Sequence, residues 1–103
     1  MSGKRPYMPL YTDMTDRKIM VIGHGEKAEQ ILRYLEPFTS HLYLLKGAYE
    51  RKDLYGMDYV ICQEEDETIR EDVFAACRTL GIRVCIPGSP RRCDFFLHDR
   101  SVS

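Results

Sequence analysis

Residues 18–28 read KIMVIGHGEKA, and the fold turns on them. Lys18 to Ile22 is a short apolar run closed by a glycine, the mark of a strand buried on both faces. From Glu26 to Leu35 the apolar residues Ala28, Ile31, Leu32 and Leu35 recur at the helical period, and Pro37 ends the pattern. Glu26 and Glu29 fall in the first turn, where the helix dipole favours negative charge. Between strand and helix stands Gly23-His24-Gly25-Glu26-Lys27-Ala28, a G-x-G-x-x-A pattern in strand-to-helix context. Gly23 allows the tight turn, Gly25 lets a pyrophosphate approach the backbone, and Ala28 lets the helix pack close to the sheet. The helix N-terminus adds free N–H groups and positive potential. Gly23, His24, Gly25, Glu26 and Lys27 are therefore candidate dinucleotide-binding residues. The same glycines would also make a tight turn that holds no ligand, and both readings stay open.

Working outward, His41 to Leu45 and Asp58 to Cys62 read as the second and third strands. The segment between them has two glycines and room for one helical turn, near Arg51 to Leu54. A second helix over Glu67 to Leu80 carries the stripe Ile69, Val73, Phe74, Cys77 and Leu80, closed by Gly81. Ile82 to Ile86 reads as a fourth strand, Pro87 to Pro90 as a turn, and Cys93 to His98 as a fifth, edge strand. Strands alternating with helices give parallel pairing and right-handed crossovers. The expected class is α/β, a Rossmann-like, doubly wound, mostly parallel sheet of four or five strands. Its first strand is central, and its ligand crevice lies beyond the carboxyl ends of strands one and three. Cys62, Gln63 and Glu64 would wall that crevice near the nicotinamide ribose. The acidic residue expected at the end of the second strand is replaced by Lys46. A lysine cannot accept from a ribose hydroxyl but could meet a 2′-phosphate, so the expected cofactor is NAD or NADP.

The chain has 103 residues, enough for one domain, with residues 1–17 wrapping the surface and Leu10 as their anchor. Fifteen Lys and Arg against 16 Asp and Glu leave a net charge of −1, which gives no reason to expect nucleic acid or anionic membrane as a partner. No apolar run approaches the ~18 residues of a membrane span. Lys4 and Arg5 precede no apolar segment, so a secretory signal is not expected. The four cysteines form no C-x-x-C pair and read as reduced, mostly buried thiols of a cytoplasmic protein. Cys93 and His98 would point to opposite faces of a strand, and no metal site is expected. The acidic run Glu64 to Glu67 reads as a solvated loop leading into a helix N-terminus. An exposed edge strand at Phe95 and Phe96 would favour a homodimer.

The ordered set of motifs resembles the N-terminal NAD-binding domain of siroheme synthase and precorrin-2 dehydrogenase, including the bifunctional dehydrogenase/ferrochelatase enzymes. Met8-Pro9-Leu10-Tyr11 through Met14 is similar to the family's opening Y-P-L-F-x-x-L, and Lys18 to Ala28 to its V-L-V-V-G-G-G-x-V-A. Asp53-Leu54-Tyr55-Gly56 with Tyr59-Val60-Ile61 is similar to D-L-x-G…V-I-A-A. Gly81-Ile82-Arg83-Val84 with Pro90 and Cys93-Asp94-Phe95 is similar to G-I-x-V-N…P…C-D-F. The resemblance implies oxidation of precorrin-2 to sirohydrochlorin with NAD accepting the hydride, and in some members iron insertion. Arg91 and Arg92 could then meet the carboxylates of a tetrapyrrole substrate. The departures are as specific as the matches. The aspartate of the family's N-V-V-D segment falls at or near Gly88, and no carboxylate lies between Arg83 and Arg92. The stretch after the second strand is largely deleted, and the sequence ends at Ser103 without the family's dimerisation segment and helical domain. The resemblance is thus to the cofactor half of the enzyme. The alternative is a non-catalytic module that senses a nucleotide or tetrapyrrole, or docks onto a pathway enzyme.

Overall fold

Strand β1, Lys18–Ile22, is buried from Ile19 onward, and its alternating side chains found two cores. Ile19 and Val21 face one side of the sheet, and Met20 and Ile22 face the other. In the computed structural model, which describes residues 6–97, β1 is followed by α1 (Glu26–Leu35), β2 (His41–Leu45) and β3 (Tyr59–Cys62). Helix α2 (Glu67–Leu80) and β4 (Arg83–Cys85) complete the regular elements, with 3-10 turns at Arg51–Leu54 and Pro90–Arg92. The sheet order is β2-β1-β3-β4 and every pairing is parallel. Ile22 lies opposite both Leu45 of β2 and Cys62 of β3, so the three carboxyl ends finish level.

Helix α1 lies over Ile19, Val21, Ile61 and Cys85, burying Ala28, Ile31 and Leu35 against them. Helix α2 covers the opposite face, where Val73, Ala76 and Cys77 meet Ile22, Val60, Cys62 and Val84. This is the doubly wound α/β arrangement, with the winding reversing between β1 and β3. The 51–54 turn supplies Leu54 to the α2-side core and is tied to α2 by polar contacts. Arg51 Nη2 lies 3.0 Å from Asp72 Oδ1, and the Tyr49 hydroxyl donates to Asp72 Oδ2 at 2.9 Å.

The structure departs from the sequence reading in three places. The strand expected over Cys93–His98 does not form over residues 93–97, and His98 lies outside the described residues. The edge of β4 is instead closed by one residue. Asp94 N–H donates to Val84 O at 2.7 Å, while its carboxylate accepts the Val84 N–H at 3.0 Å and pairs with Arg78 at 2.8 Å. The backbone and side chain of Asp94 together thus stand where a neighbouring strand's backbone would, and the strand on which the homodimer expectation rested does not form among the described residues. Second, Leu10 is 72% exposed and anchors nothing. Met14 packs on the α1-side core instead, and the Tyr7 hydroxyl donates to Cys93 O at 2.7 Å while its ring meets Phe96 edge-on. Third, β3 and β4 are shorter than expected because their flanking residues make other bonds. Asp58 caps the start of β1 through Lys18, and Ile82 N–H closes the end of α2 on Cys77 O.

Candidate functional site

The site is set where β1 and β3 end and the chain turns to opposite faces. Gly23 N–H donates to Leu45 O at 2.9 Å, and Gln63 N–H donates to Ile22 O at 2.7 Å. These bonds draw the glycine loop against the loop after β3. Gly23 has φ +143°, and a β-carbon there would stand 3.1 Å from Gln63 Cβ and 3.2 Å from Gln63 O. The first glycine is therefore demanded by the contact between the two loops. Gly25 is different. It caps α1 with φ +89°, and a β-carbon there would meet nothing within 4 Å. No side chain caps this helix. Its first turn closes when Glu29 N–H donates to Gly25 O at 3.2 Å, so the N–H groups of Glu26, Lys27 and Ala28 precede the helical ladder. Ala28 is buried and keeps α1 close to the sheet, whereas His24, Gly25, Glu26 and Lys27 are exposed. An open glycine beside uncapped N–H groups at the positive end of a helix fits a pyrophosphate.

The remaining candidates fall on both sides of this loop. Lys46 directly follows β2, and its ammonium lies 3.7 Å from Glu29 Oε2 of α1. Cys62 is buried in the α2-side core, where burial pushes its thiol up, so it can offer the crevice only backbone. Gln63 and Glu64 are half-buried at the opposite wall. Asp66 caps α2 by accepting from Thr68 N–H at 2.9 Å. Arg92 is engaged: its guanidinium meets the Glu67 carboxylate at 2.9 and 3.2 Å and the Ser89 hydroxyl at 2.9 Å, which holds Glu67 below its ordinary range. Arg91 is exposed beside it.

Arg70 stands near the usual asparagine of the resembled family's loop after the third strand. Its Nε is buried without a hydrogen-bond partner and lies 3.7 Å from Glu67 Oε1, on the carboxylate that also pairs with Arg92. The i,i+3 spacing of Glu67 and Arg70 was the available signal, but it marks a surface pair as readily as a site. Gly88 occupies a turn after β4, closed by Ser89 N–H on Ile86 O at 3.0 Å. The next carboxylate along, Asp94, is committed to Val84 and Arg78. Among the described residues no group of three His, Cys, Asp or Glu side chains could hold a metal ion.

The family model described as "Putative NAD(P)-binding" matches residues 36–98, more than half of the chain. The chain belongs to that family. The match begins just after α1 and takes in β2, β3, α2, β4 and the segment after them, and the NAD(P)-binding assignment and the Rossmann-like sheet agree. The glycine loop lies ahead of the matched residues, so its role rests on the geometry above. The chain is also 25% identical over 85% of its length to the "Probable multifunctional siroheme biosynthesis protein HemA" of Ruminiclostridium josui, covering 21% of that protein. It is 26% identical over 84% of its length to the "Siroheme synthase" of Psychrobacter sp. (strain PRwf-1), covering 22% of it. The "Siroheme synthase" of Stutzerimonas stutzeri (strain A1501) is 25% identical over 85% of the chain, which spans 23% of that protein. The chain thus spans about a fifth of the length of these curated relatives. No helix among the described residues is long and apolar enough to cross a membrane.

Proposed function

We propose that this domain holds a nicotinamide dinucleotide across the β1–β3 crevice and serves hydride transfer from precorrin-2 in siroheme synthesis. The observation that carries the first half is the open position at Gly25, beside the uncapped N-terminus of α1 and at the point where the winding reverses. The siroheme names of its relatives support the second half. A bound nicotinamide would supply the hydride acceptor. The protein's share is orientation. The N–H groups of Glu26 and Lys27 face the pyrophosphate, Gly23 fixes the distance between the two loops, and Gln63 and Glu64 wall the nicotinamide side. Arg91, exposed beside Arg92, would meet a carboxylate of the substrate. Conversion of precorrin-2 to sirohydrochlorin also releases a proton, which needs an acceptor in reach of the substrate.

That acceptor favours a second reading. Gly88 stands at or near the position of the resembled family's aspartate, and Asp94 is committed to β4 and Arg78. On this reading the domain binds the dinucleotide but senses or docks rather than oxidises. An anaerobic turnover assay with precorrin-2 and each oxidised dinucleotide separates the two. Reduced dinucleotide formed in step with sirohydrochlorin supports the dehydrogenase reading. Saturable dinucleotide binding without turnover supports the second reading and overturns the first.

A further inference from the structure

The end of β2 decides which dinucleotide the crevice accepts. Leu45, the last residue of β2, receives the N–H of Gly23, so Lys46 stands one peptide from the glycine loop. In a doubly wound domain this is where the adenosine ribose is read, and a carboxylate there accepts from the 2′-hydroxyl. Here the residues from Lys46 to Tyr49 are K-G-A-Y and carry no acceptor side chain of that kind. The first carboxylate along the chain, Glu50, is paired with Lys52 at 3.3 Å. Lys46 is a donor and a positive charge on a flexible stem. Its contact is Glu29, at 3.7 Å, with the Lys46 side chain mostly in solvent and that of Glu29 a little under half exposed. An exposed pair at that separation is weak and exchanges readily for a stronger anion. A phosphate monoester is such an anion, carrying about −1.5 to −2 charges and several strong acceptors.

We propose that Lys46 selects a 2′-phosphorylated dinucleotide, NADP(H), over NAD(H), by leaving Glu29 for the 2′-phosphate. The inference rests on the dinucleotide reading above and names which member of that class the site takes. Glu29 is the feature that opposes it, because its carboxylate would lie near the incoming phosphate, so its removal should sharpen the preference.

The test is calorimetric titration of the full chain with NADPH and NADH, and with 2′,5′-ADP and 5′-ADP as probes of the adenosine end alone. The wild-type chain should bind NADPH and 2′,5′-ADP at least about tenfold more tightly than NADH and 5′-ADP, the scale of one charge-assisted contact. Lys46→Glu should remove that difference, Lys46→Arg should keep it, and Glu29→Gln should keep or widen it. Circular dichroism of each variant confirms that these exposed changes leave the fold intact. Equal binding of the two dinucleotides, or a preference for NADPH that survives Lys46→Glu, overturns the role of Lys46 while leaving the dinucleotide site standing. Tighter binding of NADH that weakens in Glu29→Gln overturns it too, since Glu29 would then be the ribose acceptor. Binding of none of the four at millimolar concentration overturns both the inference and the reading beneath it.

Discussion

The two glycines of the loop do different jobs, and single-atom changes separate them. At Gly23 a methyl would enter a contact of 3.1 Å with Gln63 Cβ and 3.2 Å with its carbonyl oxygen, at a φ of +143°. At Gly25 the same methyl meets open space, at a φ of +89°. Gly23→Ala should therefore cost about 2–4 kcal/mol, joining backbone strain to overpacking. Gly25→Ala should cost about 1–3 kcal/mol, the strain of a backbone conformation (φ +89°, ψ −174°) that is essentially glycine's alone, without the overpacking. Urea unfolding of both variants measures the difference, and equal costs would show that the inter-loop contact is not what demands Gly23. Dinucleotide affinity should run in the opposite order of sensitivity, with Gly25→Ala the more damaging per unit of stability lost. The sequence pattern alone could not make this distinction. G-x-G-x-x-A gives both glycines the same standing, and the close approach of Gln63 arises only when β1 and β3 lie side by side.

Within the elements, the sequence was most legible where packing is two-sided. β1 is buried on both faces by α1 and α2, so its apolar run had one interpretation, and its limits and those of both helices match their patterns. β2 was legible for the same reason on the α1 side, where Leu42 and Leu44 pack, although Tyr43 on the other face is 40% exposed. Cys93 to Leu97 was misleading because its apolar residues are recruited singly. Cys93 is buried, with its thiol 3.3 Å from the Ile86 carbonyl oxygen, and Phe95 meets Tyr59 edge-on at 5.3 Å. Neither contact requires strand geometry. What decides the segment is Asp94, a charged residue whose partners Arg78 and Val84 are 16 and 10 positions away. Asp94→Ala should leave a buried Val84 N–H unsatisfied and release Arg78, at a cost of about 1–3 kcal/mol. Amide hydrogen exchange should localise the loss to β4 and the segment after it. Unchanged protection of Val84 would contradict the part given to Asp94 in closing the sheet.

At the scale of the whole molecule, the proposed dinucleotide site lies at one end of the sheet. The level carboxyl ends of β1, β2 and β3 bring Gly25, Lys46 and Gln63 to a common rim, although 38 positions separate the first from the last. The opposite end of the sheet offers an open hollow lined by Thr15, Asp16, Glu36, Pro37, Phe38, Thr39 and Ser40, but no uncapped helix start points into it. The family match supports NAD(P) binding by the chain, and the proposed site lies where the winding of the sheet reverses. The most direct test is an amide-resolved nuclear magnetic resonance titration of the full chain with NADPH and NADH. Saturable shifts should gather at Gly23 to Ala28, Lys46, Gln63 and Glu64, with the hollow near Phe38 unmoved. Shifts centred on Thr15 and Phe38, or none at millimolar dinucleotide, would contradict a dinucleotide site at the glycine loop.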